Sequence, residues 1–249
     1  MILENDDNIL QRISEMLGSS SGNFSILEHQ VDVKVQMEYF EFSKSHPKDD
    51  DIEKVILSEQ TLYAEDVAIE DKKGLLVSLA SIDKPEAYRV IERFTPSAPN
   101  ELKEWSLMAL QESRMLLETR LLDEQQVYIS TGLGGKAGSL RYFVVFFSTS
   151  NQEFTTTQKV LIKSEFELAL RRFNSEVEEL NFNSNYASMV ALVPLSVHVK
   201  QPFQTAIDEC NSLGEFIQEG FLITNVKVLN EDEIEDLIKN PPKKYLDEE

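Results

Sequence analysis

Arg141-Tyr142-Phe143-Val144-Val145-Phe146-Phe147 is the stretch on which the fold turns. Aromatic and β-branched side chains pack well on a pleated surface, so the run favours extended backbone. From Tyr142 to Phe147 no polar residue interrupts it, which leaves no face for solvent. It therefore reads as a strand covered on both sides, at the centre of a sheet. It is also the longest purely apolar run, far short of the roughly 20 residues a membrane-spanning helix requires. No membrane association is expected.

Downstream, residues 148–157 read as a loop, and Val160-Leu161-Ile162 as a further strand or an early helical turn. Ser164 with Glu167 forms a capping-box pattern that predicts a helix start there, with Phe166, Leu170, Phe173, Val177 and Leu180 as its buried stripe. A strand from Ala187 to Leu195, a helix from about Pro202 to Leu213, a strand from Phe221 to Val228 and a helix from Glu231 to Lys239 follow. Strands alternate with helices, so residues 124–240 are expected to form a mixed α/β sheet domain, with 241–249 a charged tail behind Pro241-Pro242.

Upstream the period changes. Val127-Tyr128-Ile129 is a short β-type run, and before it about 70 residues are helical in pattern. Val55, Ile56 and Leu62 mark one stripe, and Leu75, Leu76, Leu79 and Ile82 a second. Asp83-Lys84-Pro85-Glu86 is a helix start, with proline in the first turn and acid near the positive end of the dipole. Thr95 to Asn100 closes that helix and opens the next, which carries Leu102, Trp105, Met108, Ala109 and Leu116. Corresponding points in the two helix pairs, such as Asp51 and Lys84, lie about 33 residues apart. Residues 84–94 resemble the first helix of a HEAT-type repeat and residues 100–110 the second, with Ala109 and Leu110 at the small and large packing positions. The resemblance covers residues 50–122 and implies a surface for binding other macromolecules.

The N-terminal part, residues 1–48, has helical spacing from Ile2 to Leu17 and a Gly/Ser break at 18–22. Val31, Val33, Val35, Met37 and Tyr39 then alternate with polar residues, which predicts a half-buried strand until Phe40 and Phe42 shift the phase. The fold class that follows is α+β: an N-terminal helical region with HEAT-like hairpins over 49–123, joined to the sheet domain.

Lys and Arg number 24 against 44 Asp and Glu, a net charge of −20 and a pI of about 4.6. Hydrophobic residues at 41% nonetheless suffice for a folded core. The sign of the charge disfavours generic nucleic-acid binding and makes a basic protein the natural electrostatic partner. A single cysteine, Cys210, forms no internal disulfide and suits a reducing cytoplasm. The opening residues lack a basic segment followed by an apolar one, so no secretory signal is expected.

The glycine-rich segment Thr131 to Ser139 holds four of the nine glycines. Gly132, Gly134, Gly135, Lys136, Gly138, Ser139 and Arg141 are the candidate ligand-binding residues, since bare backbone N–H groups and a lysine suit an anion. Ala137 stands where a phosphate loop needs Ser or Thr after the lysine, and a strand follows where a dinucleotide motif needs a helix. Six basic residues against three acidic ones over 134–172 reverse the charge of the chain locally. His29, His46 and His198 are scattered, the acidic clusters lack calcium-loop spacing, and no nucleophile motif occurs, so neither cofactor, metal site nor catalytic residue is expected. The expectation is a non-enzymatic protein-interaction adaptor acting through its helical face. The alternative is an anion- or nucleotide-binding protein or enzyme centred on residues 131–141, and a carboxylate decoy of nucleic acid is a third class. Oligomeric state is left open.

Overall fold

The computed structural model describes residues 24–47, 51–122 and 127–239. The expected helix at 2–17, the break at 18–22, the junction near 123 and the tail at 241–249 lie outside them. The chain divides into two compact units that meet between Gly134 and Gly135 in sequence.

The first unit is helical: β1 (Phe24–Ile26), α1 (Val33–Ser45), α2 (Ile52–Leu57), α3 (Gln60–Tyr63), α4 (Ile69–Ala80), α5 (Pro85–Phe94), a 3-10 turn (Thr95–Ser97), α6 (Asn100–Leu122) and β2 (Val127–Ile129). Proline in the first turn of α5 forfeits no helical hydrogen bond, and Ala87, Val90, Ile91 and Phe94 follow as one buried stripe. These residues meet Leu76, Leu79 and Ala80 of α4 and Leu102, Trp105, Met108 and Ala109 of α6 in a single core. Trp105 is its hub. Tyr39 and Phe42 contact the indole edge-on at 5.2 and 5.5 Å between centroids, its Nε1–H donates to the Lys73 carbonyl at 3.3 Å, and the Lys73 ammonium lies 4.4 Å over its ring. β1 and β2 pair in parallel, Phe24 beside Val127.

The strand expected at 31–39 is instead helix α1. Asp32 caps it by accepting from the Lys34 N–H at 2.8 Å. Burial follows the helical spacing of Val35, Tyr39 and Phe42, while Val33 and Met37, inward in the alternating reading, are 38% and 59% exposed. The phase shift at Phe40 and Phe42 was the helical signal.

The second unit runs β3 (Gly135–Lys136), β4 (Ser139–Ser148), α7 (Thr156–Arg172), β5 (Glu176–Phe182), β6 (Tyr186–Pro194), α8 (Lys200–Ser212), β7 (Ile217–Thr224) and α9 (Glu231–Lys239). β4 pairs with β6 on one side and with β7 and the short β3 on the other; β5 forms the edge beyond β6. Every pairing is antiparallel, and β-α-β-β-α-β in the order β7-β4-β6-β5 is the ferredoxin-like, split β-α-β topology. The α+β class is therefore as expected, and β4 is the buried central strand, with Val144, Val145 and Phe146 wholly inaccessible. Phe146 stacks on Phe166 of α7 at 4.5 Å, and Phe203 of α8 meets Phe221 of β7 on the same face. The edge strand β5 carries Glu176, Glu178 and Glu179, charges that deter pairing with another sheet.

Two expectations change here. The helix is capped by Thr155, not Ser164. The Thr155 hydroxyl accepts from the Gln158 N–H at 3.3 Å and the Gln158 side chain accepts from the Thr155 N–H at 2.8 Å, so the working capping box lies earlier. Val160-Leu161-Ile162 lies inside this helix. The helix also ends at Arg172, because Asn174 turns the chain through a left-handed conformation (φ 54°) into β5. Val177 and Leu180 thus belong to a strand.

Candidate ligand-binding site

The seven residues singled out in the glycine segment fall on both sides of the division at Gly134/Gly135. On the helical side the Gly132 carbonyl accepts from the Val31 N–H at 3.2 Å, and the Thr131 carbonyl accepts from the Gln36 side chain at 3.1 Å and from the Gly134 N–H at 3.3 Å. Gly134 has a φ of 68°, and a Cβ there would stand 2.6 Å from the carbonyl oxygens of both Leu27 and His29. Its glycine is thus required by close packing of backbone on backbone. On the other side β3 and β4 form a hairpin whose two loop residues, Ala137 (φ 49°) and Gly138 (φ 78°), both have positive φ, the geometry that suits the twist of flanking strands. The Gly138 carbonyl accepts from the Leu195 N–H at 3.0 Å. Lys136 is exposed, Ser139 half-buried.

Two of the basic residues over 134–172 are met by acids from other elements, and a third by an acid of the same segment. Arg141 grips Glu178 with two hydrogen bonds of 2.6 and 3.1 Å, Lys159 pairs with Glu153 at 2.6 Å and Arg172 with Glu209 at 3.0 Å. Among the described residues no group of three or more His, Cys, Asp and Glu is placed to hold a metal ion. No helix among them is long and apolar enough to cross a membrane. His46 tethers the end of α1 to α4: its ring stacks on Phe42 at 5.1 Å, its Nε2 lies 3.2 Å from the Ser78 hydroxyl, and it fills the space left by Gly74.

Cys210 is fully buried in α8. Burial, aided by the charges of Glu165 and Glu209, pushes its thiol from 9.0 up to about 12. The folded thiol keeps its proton where the unfolded one has lost it. This contribution to stability is therefore complete below pH 9 and declines as the pH rises toward 12. A thiol reagent at pH 8 is expected to leave the native protein unmodified and to titrate one thiol once guanidinium unfolds it; rapid labelling of folded protein would contradict the burial.

A second candidate site lies on α6. Met108, Glu112, Met115, Leu116 and Thr119 lie at helical spacings of three and four and share one stripe, which lines a cavity of about 400 Å³ in the helical unit. Phe40 of α1 and Tyr128 of β2 complete its aromatic side, meeting edge to face at 5.9 Å, and Ser81 adds a hydroxyl. Among the described residues, Glu112 is the one carboxylate in this lining. The hydroxyl of Tyr39, whose side chain is wholly buried, donates to Glu112 Oε2 at 2.6 Å and fixes the carboxylate in place. Burial and the adjacent Glu112 charge hold the Tyr39 pKa well above its ordinary value, so the tyrosine remains a donor. Tyr128 is shifted upward as well, chiefly by burial. The arrangement presents a fixed acceptor at the wall of an apolar space, in the size range of small-molecule sites.

Sequence reasoning assigned Met108 and Leu116 to the helix core but missed Glu112. The signal in the chain is a lone acid within a largely apolar helical stripe.

No family model and no curated protein matches this chain. Several solved structures resemble part of it, two transposases among them. A putative transposase from Deinococcus radiodurans R1 is 13% identical, with 43% of this chain and 93% of that one covered, at a TM-score of 0.36. A REP-associated tyrosine transposase, solved bound to a REP hairpin, is 11% identical, with 43% and 71% covered, at a TM-score of 0.32. Likeness at this level assigns neither activity nor ligand. The expectation of a non-enzymatic protein-interaction adaptor for which nucleic acid is disfavoured is nonetheless corrected: the solved structures found are of transposases, one with a REP hairpin bound. The physical reason is that net charge is a property of the whole chain and does not show how charge is arranged on a surface.

Proposed function

We propose that this chain binds a small, largely apolar molecule bearing a protonated amine in the cavity beside Glu112. The observation that carries the reading is the carboxylate itself, held at 2.6 Å by the Tyr39 hydroxyl among Phe40, Met108, Met115, Leu116 and Tyr128. Glu112 is half-buried in this wall, and an ammonium group adds opposite charge and further donors to a carboxylate that Tyr39 already orients. The aromatic rings offer faces for the same cation, and the methionines adapt to irregular apolar shapes. A reducing, cytoplasmic setting belongs to the proposal and is supported by the one cysteine, which is free and buried.

Trp105 is the only tryptophan and touches Tyr39, so its emission reports on the cavity wall. Titration of the full chain with hexylamine and phenethylamine is expected to give saturable changes in Trp105 emission and a raised Tm. Matched alcohols should bind more weakly. Glu112→Gln keeps the Tyr39 hydrogen bond but removes the charge; since bonds to charged groups contribute about 1.5–3 kcal/mol, amine affinity should fall about 10- to 100-fold. The reading is overturned if neither amine saturates, if Glu112→Gln binds as wild type, or if a DNA hairpin saturates the same signal where the amines do not.

A further inference from the structure

A second cavity, in the sheet unit, points to a different ligand. Phe146 and its neighbours at every second position of β4 face α7 and α8, so Phe143, Val145 and Phe147 face the other way. Register then builds that far face in rows. Phe143 stands beside Val190, and Val190 beside Glu179; Val145 stands beside Ser188, and Ser188 beside Asn181; Phe147 stands beside Tyr186. Helix α9 comes down on this face through Ile234, which is 2% exposed, and a space of about 260 Å³ remains between helix and sheet.

The lining of that space is divided by chemistry. Phe143 and Tyr186, 4% and 5% exposed, give an aromatic floor. The buried Ser188 and its cross-strand neighbour Asn181 line it together with Asn183. Each asparagine carries both donors and an acceptor, a set that can pair with the edge of another amide, and Asn183 also hydrogen-bonds the Tyr186 hydroxyl. At the rim Glu179 and Glu231 contribute negative charge, and the Glu231 and Glu235 charges are felt at Tyr186, where burial and those carboxylates together push the hydroxyl pKa upward. An anion entering here meets like charge, whereas a neutral planar ring finds faces to stack on and polar groups along its edge.

We infer that the space between α9 and the sheet is a binding site for a neutral heterocycle with an amide-like edge, of the nucleobase or nucleoside class and without phosphate. Aromatic side chains accept any base face, while asparagine and serine read the edge. α9 is the roof of the site, with Ile234 as its anchor.

Calorimetry and thermal shift on the full chain with adenosine, guanosine, cytidine and uridine, each beside its 5′-monophosphate, test this. At least one nucleoside is expected to bind saturably and raise Tm, and its monophosphate to bind about tenfold more weakly because of the rim carboxylates. Asn181 is exposed on an edge strand, so Asn181→Leu should fold as wild type by circular dichroism yet lose about tenfold in affinity. Ile234→Asp, which undocks the roof, should abolish binding. The inference fails if no nucleoside binds, if the monophosphate binds as tightly as the nucleoside, or if Asn181→Leu binds as wild type.

Discussion

Replacing Phe146 by alanine is expected to destabilise the protein by about 3–5 kcal/mol, the usual cost of removing a buried phenylalanine. Phe146 is wholly inaccessible on the central strand, hydrogen-bonded between β6 and β7, and its ring stacks on Phe166 with planes 20° apart. The cavity left behind has little way to collapse. Its walls come from strands on both sides and from α7, each held by other contacts. A loss of this size is comparable with the whole stability of a marginal domain, about 5–15 kcal/mol. Denaturant unfolding followed by circular dichroism checks it: the midpoint should fall sharply in Phe146→Ala and only modestly in Phe146→Leu, which retains most of the apolar volume. Equal midpoints for the three proteins would contradict the central placement of β4.

Gly134→Ala should cost about 2–5 kcal/mol, the left-handed backbone penalty of about 1–2 kcal/mol combined with overpacking of about 1–3 kcal/mol. The collision is with main chain. The added Cβ would lie 2.6 Å from the carbonyl oxygens of Leu27 and His29, and neither can swing aside as a side chain would. Gly138→Ala provides the internal control. Its φ of 78° imposes the same conformational penalty, but a Cβ there meets nothing within 4 Å, so only about 1–2 kcal/mol should be lost. Chemical denaturation of the two variants side by side separates strain from collision. If Gly138→Ala proved the more damaging, the packing of the loop on residues 27–29 would be wrong.

These two glycines also show where sequence reading stops. Both stand in one short segment and read alike as conformational freedom, whether for a ligand or for a turn. What separates them is a backbone more than a hundred residues earlier in the chain at Gly134 and open solvent at Gly138. The same limit explains the misread strand β5. Val177 and Leu180 are three apart, which suits a helix, yet a bulge between Val177 and Glu179 inserts one residue and puts both on the same face of the sheet, opposite Ala191 and Met189. Period alone cannot tell a helix from a bulged strand. Glu112 was hidden for a related reason, since its partner Tyr39 lies 73 positions away.

The sequence by itself determined the elements whose causes are local. Pro85 opens α5, the apolar run around Val144 makes the central strand, and α9 spans Glu231 to Lys239 as its own pattern requires. Caps, first-turn prolines and apolar periods act within a few residues, where bringing the partners together costs little chain entropy. Only the tertiary structure decided that β4 lies between β6 and β7, that Tyr39 holds Glu112 at the wall of an apolar cavity, and that Ile234 roofs a polar-sided space over Phe143. Each of these joins residues from distant parts of the chain, and such contacts form because burying the shared core outweighs the entropy of closing long loops.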